Sequence, residues 1–418
     1  MGKPRLSAKE RLRVEVLSKI HRGLITRSVG AGLLNISYRQ LKRVYSRYAL
    51  EGNSGLAHGL RFRPSNHLIG VERRQRILEL YELKYGDFGP TLAVEYLLRD
   101  DGERVGIETL RRWLLAAGLW HGRRRGSGHR QWRERRAHWG ELVQMDGSEH
   151  DWFEGRGARA SLMVMIDDAT NWTHARFFPS ETTAAAMTVF QEYVSYYRLP
   201  RALYVDRDSI YETTRDSTVD ETLRDAPPLT QFGRAMKSLG VDVILARSPQ
   251  AKGRVERRHG VFQDRLVKGM RLKGISGLEA ANVYLAEEFL DDMNTRFHVE
   301  ARSPEDVHRN VPRGTKLEHV LCYEESRVVQ NDWTVSWCNR ILQLDRQHQK
   351  LVLARKKILV SELLDGTLRL TYRGIELSWR ELPSKPVAAP AKTKASQPPK
   401  APYKPAANHP WRRSNRPV

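Results

Sequence analysis

The sequence predicts a multidomain chain: an α-helical N-terminal region, an α/β layer domain, a small C-terminal β-barrel and a disordered tail. Three observations carry this. Before residue 120, apolar residues recur at helical spacing behind capping residues. After residue 139, apolar runs ending in carboxylates alternate with helical stretches, the pattern of a layered α/β domain. From 320 to 382 come short alternating segments with turn residues, and 383 to 418 is rich in Pro, Ala and Lys without one acidic residue. At 418 residues the chain exceeds a single core, and roughly 150 residues per domain suggests about three folded units. The boundaries expected are 1–60 and 61–120 for two helical units, 121–138 for a basic linker, 139–312 for the α/β domain, 313–382 for the barrel and 383–418 for the tail.

The first helix should start behind Ser7, with Glu10 at capping-box spacing and Leu12, Val16, Leu17 and Ile20 facing inward. Ser28 to Leu34 then reads as a short helix, Asn35-Ile36-Ser37 as a turn, and Tyr38 to Tyr48 as a second helix capped by Ser37. Arg39, Gln40, Lys42 and Arg43 lie on its outer side. A short helix, a tight turn and a basic helix form the plan of a helix-turn-helix, whose second helix enters the major groove. The alternative is a helical hairpin with a solvated basic face. A second such block has helices over 71–84, from Pro90 onward, and from Ile107 to Leu119, the last with Arg111 and Arg112 outward. The Arg-rich 121–138 segment suits a tether or an arm along the minor groove.

Seventy-one Lys and Arg against 49 Asp and Glu leave a net charge of +22, which favours a polyanionic partner through counterion release. Only Cys322 and Cys338 are present, so neither a disulfide framework nor a four-cysteine zinc site is available. The start lacks an apolar signal segment, and no run approaches 18 apolar residues. A cytoplasmic, nucleoid-associated protein with no membrane partner is expected.

In the α/β domain three carboxylates stand out: Asp146 in LVQMDGS, Asp206 in ALYVDRDS and Glu256 in SPQAKGRVERRHG. Acids at strand ends sit at the carboxyl edge of the sheet, where α/β folds place ligands. Three converging carboxylates repel unless a hard cation joins them, and Mg²⁺ favours oxygen ligands. Two Mg²⁺ ions about 3.5–4 Å apart would suit phosphodiester chemistry, with Mn²⁺ as a substitute. Asp167 and Asp168 read as turn formers before ATN, and Asp208 competes with Asp206 as the second ligand. In the third segment Ser248 caps a helix with Pro249 in its first turn, and Val255, Phe262 and Leu266 point inward. Lys252 and Arg254 then either touch phosphate backbone or form a solvated basic face. His259, one turn past Glu256, either approaches the metals or is a packed residue.

MDGSEHDWFEGRG, LMVMIDDATN, LYVDRDS and SPQAKGRVERRHG together resemble the integrase catalytic core of retroviral integrases and bacterial insertion-sequence transposases. SPQ-x-x-G-x-x-E is the most specific element. Among bacterial transposases the chain is most similar to the ISNCY group, and TQFGRAMKSLGV and QDRLVKGMRLKGISGLEAAN extend the likeness through about residue 382. The resemblance implies a ribonuclease-H-like catalytic domain with Asp146, Asp206 and Glu256 as a DDE metal-binding triad. It also implies a homo-oligomer that holds double-stranded element ends and target DNA and carries out DNA cleavage and strand transfer. Two features depart from the pattern. Forty-nine residues separate Asp206 from Glu256, a long gap consistent with a polar insertion around YETTRDSTVDETLRDAPP. Arg207-Asp208 follows the second Asp, which keeps Asp208 in contention. The alternatives are a catalytically inactive or domesticated DNA-binding regulator, and a ribonuclease-H-type nuclease acting on RNA. Tandem helix-turn-helix units count against the RNA reading, because side chains cannot read the narrow major groove of RNA.

Overall fold

The computed structural model describes residues 7–56, 68–122, 134–217, 222–223, 227–246 and 253–383, with 406 and 409. The chain divides into two units, Met1–Arg123 and Arg124–Val418. Most of the expected linker, nearly all of the expected tail, and Ser248, Pro249 and Lys252 lie outside the described residues.

The first unit is helical. Helix α1 (Ala8–His21) begins with the Ser7–Glu10 capping box, both of whose hydrogen bonds form. Helix α2 (Arg27–Leu33) starts a residue before the expected Ser28, because Thr26 rather than Ser28 caps it. Asn35, at φ 47°, turns the chain into α3 (Tyr38–Glu51), where Ser37 Oγ accepts from the Gln40 amide at 3.1 Å. Val16, Leu17, Ile20, Ala31, Leu41, Val44 and Leu56 form the core beneath. Gly30 lets α2 approach α1 closely, since a Cβ there would meet Ile20 Cδ1 at 2.5 Å. Three further helices, α4 (Val71–Lys84), α5 (Pro90–Asp101) and α6 (Ile107–Ala116), surround Ile77, Tyr81, Phe88, Tyr96, Leu97, Leu110 and Leu114. Gly102 in the left-handed region ends α5, and α6 stops three residues before the expected Leu119.

The second unit opens with a five-stranded sheet: β1 (Leu142–His150), β2 (Ala160–Asp167), β3 (Thr173–Phe178), β4 (Ala202–Val205) and β5 (Asp242–Leu245), ordered β3-β2-β1-β4-β5. The β3–β2 and β2–β1 pairs are antiparallel, and β1–β4 and β4–β5 are parallel. Helices α7 (Thr183–Tyr197) and α8 (Gln231–Leu239) cover one face. Helix α9 (Gly253–Leu272), α10 (Leu278–Tyr284), a π-helical turn (Leu285–Phe289) and α11 (Leu290–Phe297) cover the other. Covering both faces explains the unbroken apolar run in β2: Met163 and Met165 enter the first core, and Leu162, Val164 and Ile166 the second. Each large side chain fully buried here, such as Phe190 or Phe262, stabilises the fold by about 1.5–3 kcal/mol.

The C-terminal strands correct the expected barrel. β6 (Cys322–Val328), β9 (Lys357–Leu363), β10 (Leu368–Tyr372) and β11 (Ile375–Leu377) form one antiparallel sheet, and β7 (Thr334–Trp337), β8 (Arg340–Leu344) and β12 (Trp379–Leu382) another. Among the described residues no ladder joins the two. They share one core, with Val335, Trp337, Leu342 and Leu344 from the smaller sheet meeting Ile358, Val360, Leu368 and Leu370. The β6–β7 connection turns at Trp333, at φ 65°, where its amide donates to the Gln330 carbonyl at 3.1 Å.

Candidate active site

Alternation along β1 determines which residues face the candidate centre. Val143 and Met145 enter the core under α7 and α8, so Gln144, Asp146 and Ser148 face α9. Three contacts agree with that assignment. The Val255 amide donates to Gln144 Oε1 at 3.3 Å, His259 Nδ1 lies 3.7 Å from Asp146 Oδ2, and Gln263 Nε2 donates to Ser148 Oγ at 3.4 Å. Four helical residues rise about 6 Å and two strand residues about 6.6 Å, so α9 and β1 stay in step over this length. Asp146 lies inside the strand rather than at its end, because pairing with β2 continues to His150↔Ala160.

Strand β4 leads to Asp206: the parallel β1–β4 register pairs Gln144 with Tyr204, β4 ends at Val205, and Asp206 is the next residue along. Leu203 and Val205 enter the α7–α8 core, and Asp206, just past the strand, is half-buried. Asp208 is exposed and its carboxylate is engaged locally. Its Oδ1 accepts from the Ile210 amide at 3.0 Å and from Ser209 Oγ at 3.2 Å, while its own amide donates to Asp206 Oδ1 at 3.1 Å.

Glu256 is exposed in the first turn of α9, three residues before His259, and the two share a helix face. Among the described residues no three His, Cys, Asp or Glu side chains close into a group that could hold a metal. The donor chemistry nevertheless fits a hard divalent cation. Asp146 and Asp206 offer oxygen only, lie on β1 and directly after β4, and are both half-buried, so water still reaches them.

Arg254 corrects an expectation. It is buried at 8% exposure, and its Nη1 donates to Asp168 Oδ1 at 2.7 Å, where Asp168 is fully buried. Gln144 Nε2 donates to the same Asp168 oxygen at 2.8 Å, and the Arg136 amide to Asp168 Oδ2 at 2.9 Å. The guanidinium therefore anchors the start of α9 instead of facing phosphate. Asp167 does make the expected turn: its Oδ1 accepts from the Thr170 amide and hydroxyl, each at 2.8 Å, and burial pushes its carboxyl up despite those bonds. Gln144 escaped sequence reasoning, and Asp168, expected only to form the turn, instead accepts from Gln144, Arg254 and the Arg136 amide. The one available signal was a lone amide inside the apolar run LVQM, which must find a partner once buried.

Arg39, Gln40, Lys42 and Arg43 are exposed on α3, with Lys42 Nζ over the Tyr38 ring at 5.1 Å. Arg111 and Arg112 are exposed on α6, where Arg111 lies 3.4 Å from Glu108 Oε2 and Arg112 donates to the Glu108 carbonyl at 3.3 Å. Among the described residues no helix is long and apolar enough to cross a membrane.

No family model matches the chain. Among solved structures, the simian T-cell lymphotropic virus intasome in complex with PP2A regulatory subunit B56 gamma aligns with a TM-score of 0.32 at 12% identity, over 74% of this chain and 100% of that one. The HTLV-2 integrase catalytic core domain in complex with magnesium, in its trimeric form, aligns at 0.27 and 15% identity, over 35% of this chain and 84% of that one. The transposase for insertion sequence IS1202 of Streptococcus pneumoniae is 27% identical over 439 aligned residues, covering 95% of this chain and 92% of that protein. "Putative transposase y4bF" of Sinorhizobium fredii is 36% identical over 382 residues, covering 91% of this chain and 82% of that protein. With this likeness running along nearly the whole length of both proteins, the chain belongs to the transposase family.

Proposed function

We propose that this transposase cuts and joins DNA phosphodiesters in a ribonuclease-H-like core, with Asp146, Asp206 and Glu256 as the ligands of divalent cations, two Mg²⁺ or Mn²⁺ in their place. The carrying observation is that α9 runs in step with β1 and sets His259 3.7 Å from Asp146, while Asp206 follows directly on β4, the strand parallel to β1. Asp206 is preferred over Asp208, whose carboxylate is engaged in the following turn. Bound there, the ions would polarise the phosphodiester and favour the attacking oxygen as its anion. The protein's own part is to hold the acids in register, to seat Glu256 through the buried Arg254–Asp168 pair, and to keep His259 beside Asp146. The exposed basic faces of α3 and α6 would read the element ends as helix-turn-helix units, and a homo-oligomer in the cytoplasm, on nucleoid DNA, would hold two ends and a target together.

The test is incubation of the full chain with labelled duplex carrying the terminal inverted repeats that flank its reading frame, plus Mg²⁺ or Mn²⁺. Joined products that vanish with Asp206→Asn support the reading. Binding without cleavage would favour the inactive regulator, and cleavage of RNA alone a nuclease.

A further inference from the structure

The β1 strand carries a glycine directly after Asp146. By alternation Gly147 faces away from α9, toward the side covered by α7. A side chain cannot be added there: a Cβ at 147 would collide with the Glu181 carboxylate, which lies against the bare backbone. Glu181 is half-buried and sits between β3 and α7, immediately before Thr182, whose hydroxyl caps α7 by accepting from the Ala185 amide at 3.1 Å. The positive end of a helix favours an anion at that position. The acid is therefore brought to the second face of the strand that carries Asp146, through a gap that only glycine leaves open.

An independent feature marks the same place. Tyr211 is 6% exposed, its ring packs edge-on against Phe232 at 5.3 Å, and its hydroxyl is buried with no hydrogen-bond partner among the described residues. Burial, then the charges of Glu181, Asp206, Asp146 and Asp208 in that order, hold the phenol well above its ordinary range, so it stays a donor. A buried donor without an acceptor costs about 1–3 kcal/mol. Tyr211 lies five residues after Asp206, and its amide donates to the Asp208 carbonyl at 2.9 Å, so its hydroxyl belongs to the turn that leaves Asp206.

We propose that Glu181 is a further carboxylate of the centre, holding the water shell of the cation bound by Asp146 and Asp206, with Tyr211 donating to the acids as they close on it. This inference rests on the reading of Asp146 and Asp206 as cation ligands. Mg²⁺ keeps several of its waters, and a carboxylate that accepts from them adds affinity without being a direct ligand. Gly147 is then required because any side chain would expel Glu181 from its seat.

The experiment is calorimetric titration of the full chain, without DNA, with Mn²⁺ alone, alongside the thermal midpoint of each variant. Glu181→Gln, nearly isosteric, should weaken Mn²⁺ binding on the order of 10-fold with the midpoint unchanged. Gly147→Ala should weaken it in the same direction, since the flexible Glu181 arm can swing aside without unfolding the strand. Asp206→Asn should abolish binding. Wild-type affinity in both Glu181→Gln and Gly147→Ala, with Asp206→Asn still inactive in binding, would overturn the role of Glu181 and leave the centre standing. Mn²⁺ binding that is absent from the wild type, or unaffected by Asp206→Asn, would overturn the centre and this inference with it.

Discussion

Arg254 and Asp168 form an ion pair of 2.7 Å in which both partners are buried, the Arg at 8% exposure and the Asp at none. It joins the first turn of α9 to the end of β2, and Gln144 of β1 binds the same carboxylate oxygen. Glu256 sits two residues further along the helix. A buried salt bridge thus anchors the helix turn that carries a candidate catalytic acid.

Breaking that pair leaves a buried charge without its partner, which costs about 3–5 kcal/mol. Arg254→Met should lower the urea midpoint accordingly and remove strand transfer with it. Combining it with Asp168→Leu should recover much of the stability, because the stranded carboxylate is gone. If Arg254→Met kept full stability and lost only DNA affinity, the residue would be a phosphate contact after all.

The parts of the molecule legible in the sequence are those set by near neighbours. Ser7, Ser37 and Pro90 announce helix starts because each satisfies or spares amides within one turn. Asp146 and Asp206 draw the eye as candidates because an acid closing an apolar run needs a reason to be there. What stayed hidden depends on partners far along the chain. Arg254 looks like any exposed arginine until Asp168, 86 residues earlier, is folded against it. The role of Gly147 is invisible without Glu181. The strand carrying Asp146 runs on because β2 pairs with it, a decision made by the partner strand and not by the DGS that follows Met145. The barrel expected from alternation over 320–382 became two sheets because alternation specifies which face is buried, while pairing specifies closure.

Acid should weaken the second unit partly through Asp306. Burial disfavours its charge, but the amide and ring of His308 and the guanidinium of Arg198 outweigh burial, and its carboxyl titrates below the ordinary range. A carboxyl lowered in the folded state adds stability that is fully present above its unfolded value, near 3.9, and is lost as pH falls through the lower folded value. The urea midpoint of Asp306→Asn should therefore lie below wild type at pH 6 and converge on it as pH falls beneath the ordinary carboxylate range. Curves that stay parallel over that range would assign the loss to packing.

The exposed basic face of α3 should act through phosphates and bases in separable ways. Each arginine that only neutralises phosphate contributes about one unit to the slope of log affinity against log salt. Arg43→Ala and Arg39→Ala, measured on end DNA and on unrelated duplex between 50 and 200 mM salt (on the order of the usual range for such titrations), should each weaken binding. A change confined to end DNA marks base contact. A shallower salt slope on both duplexes marks phosphate contact. Unaltered binding in both variants would show that α3 is a solvated face.

Glu256→Gln separates chemistry from support. Glu256 is exposed, and an exposed substitution of this kind changes stability by no more than about 0.5 kcal/mol. The amide keeps the shape of the side chain and removes the charge that a cation ligand needs. The variant should bind end DNA within about twofold of wild type, as expected for a group outside the binding faces, yet yield no joined product. Arg254→Met, only two residues away, should lose the same product together with its stability. Loss of end binding in step with joining in Glu256→Gln would place that carboxylate among the structural acids, and strand transfer at the wild-type rate would remove it from the centre altogether.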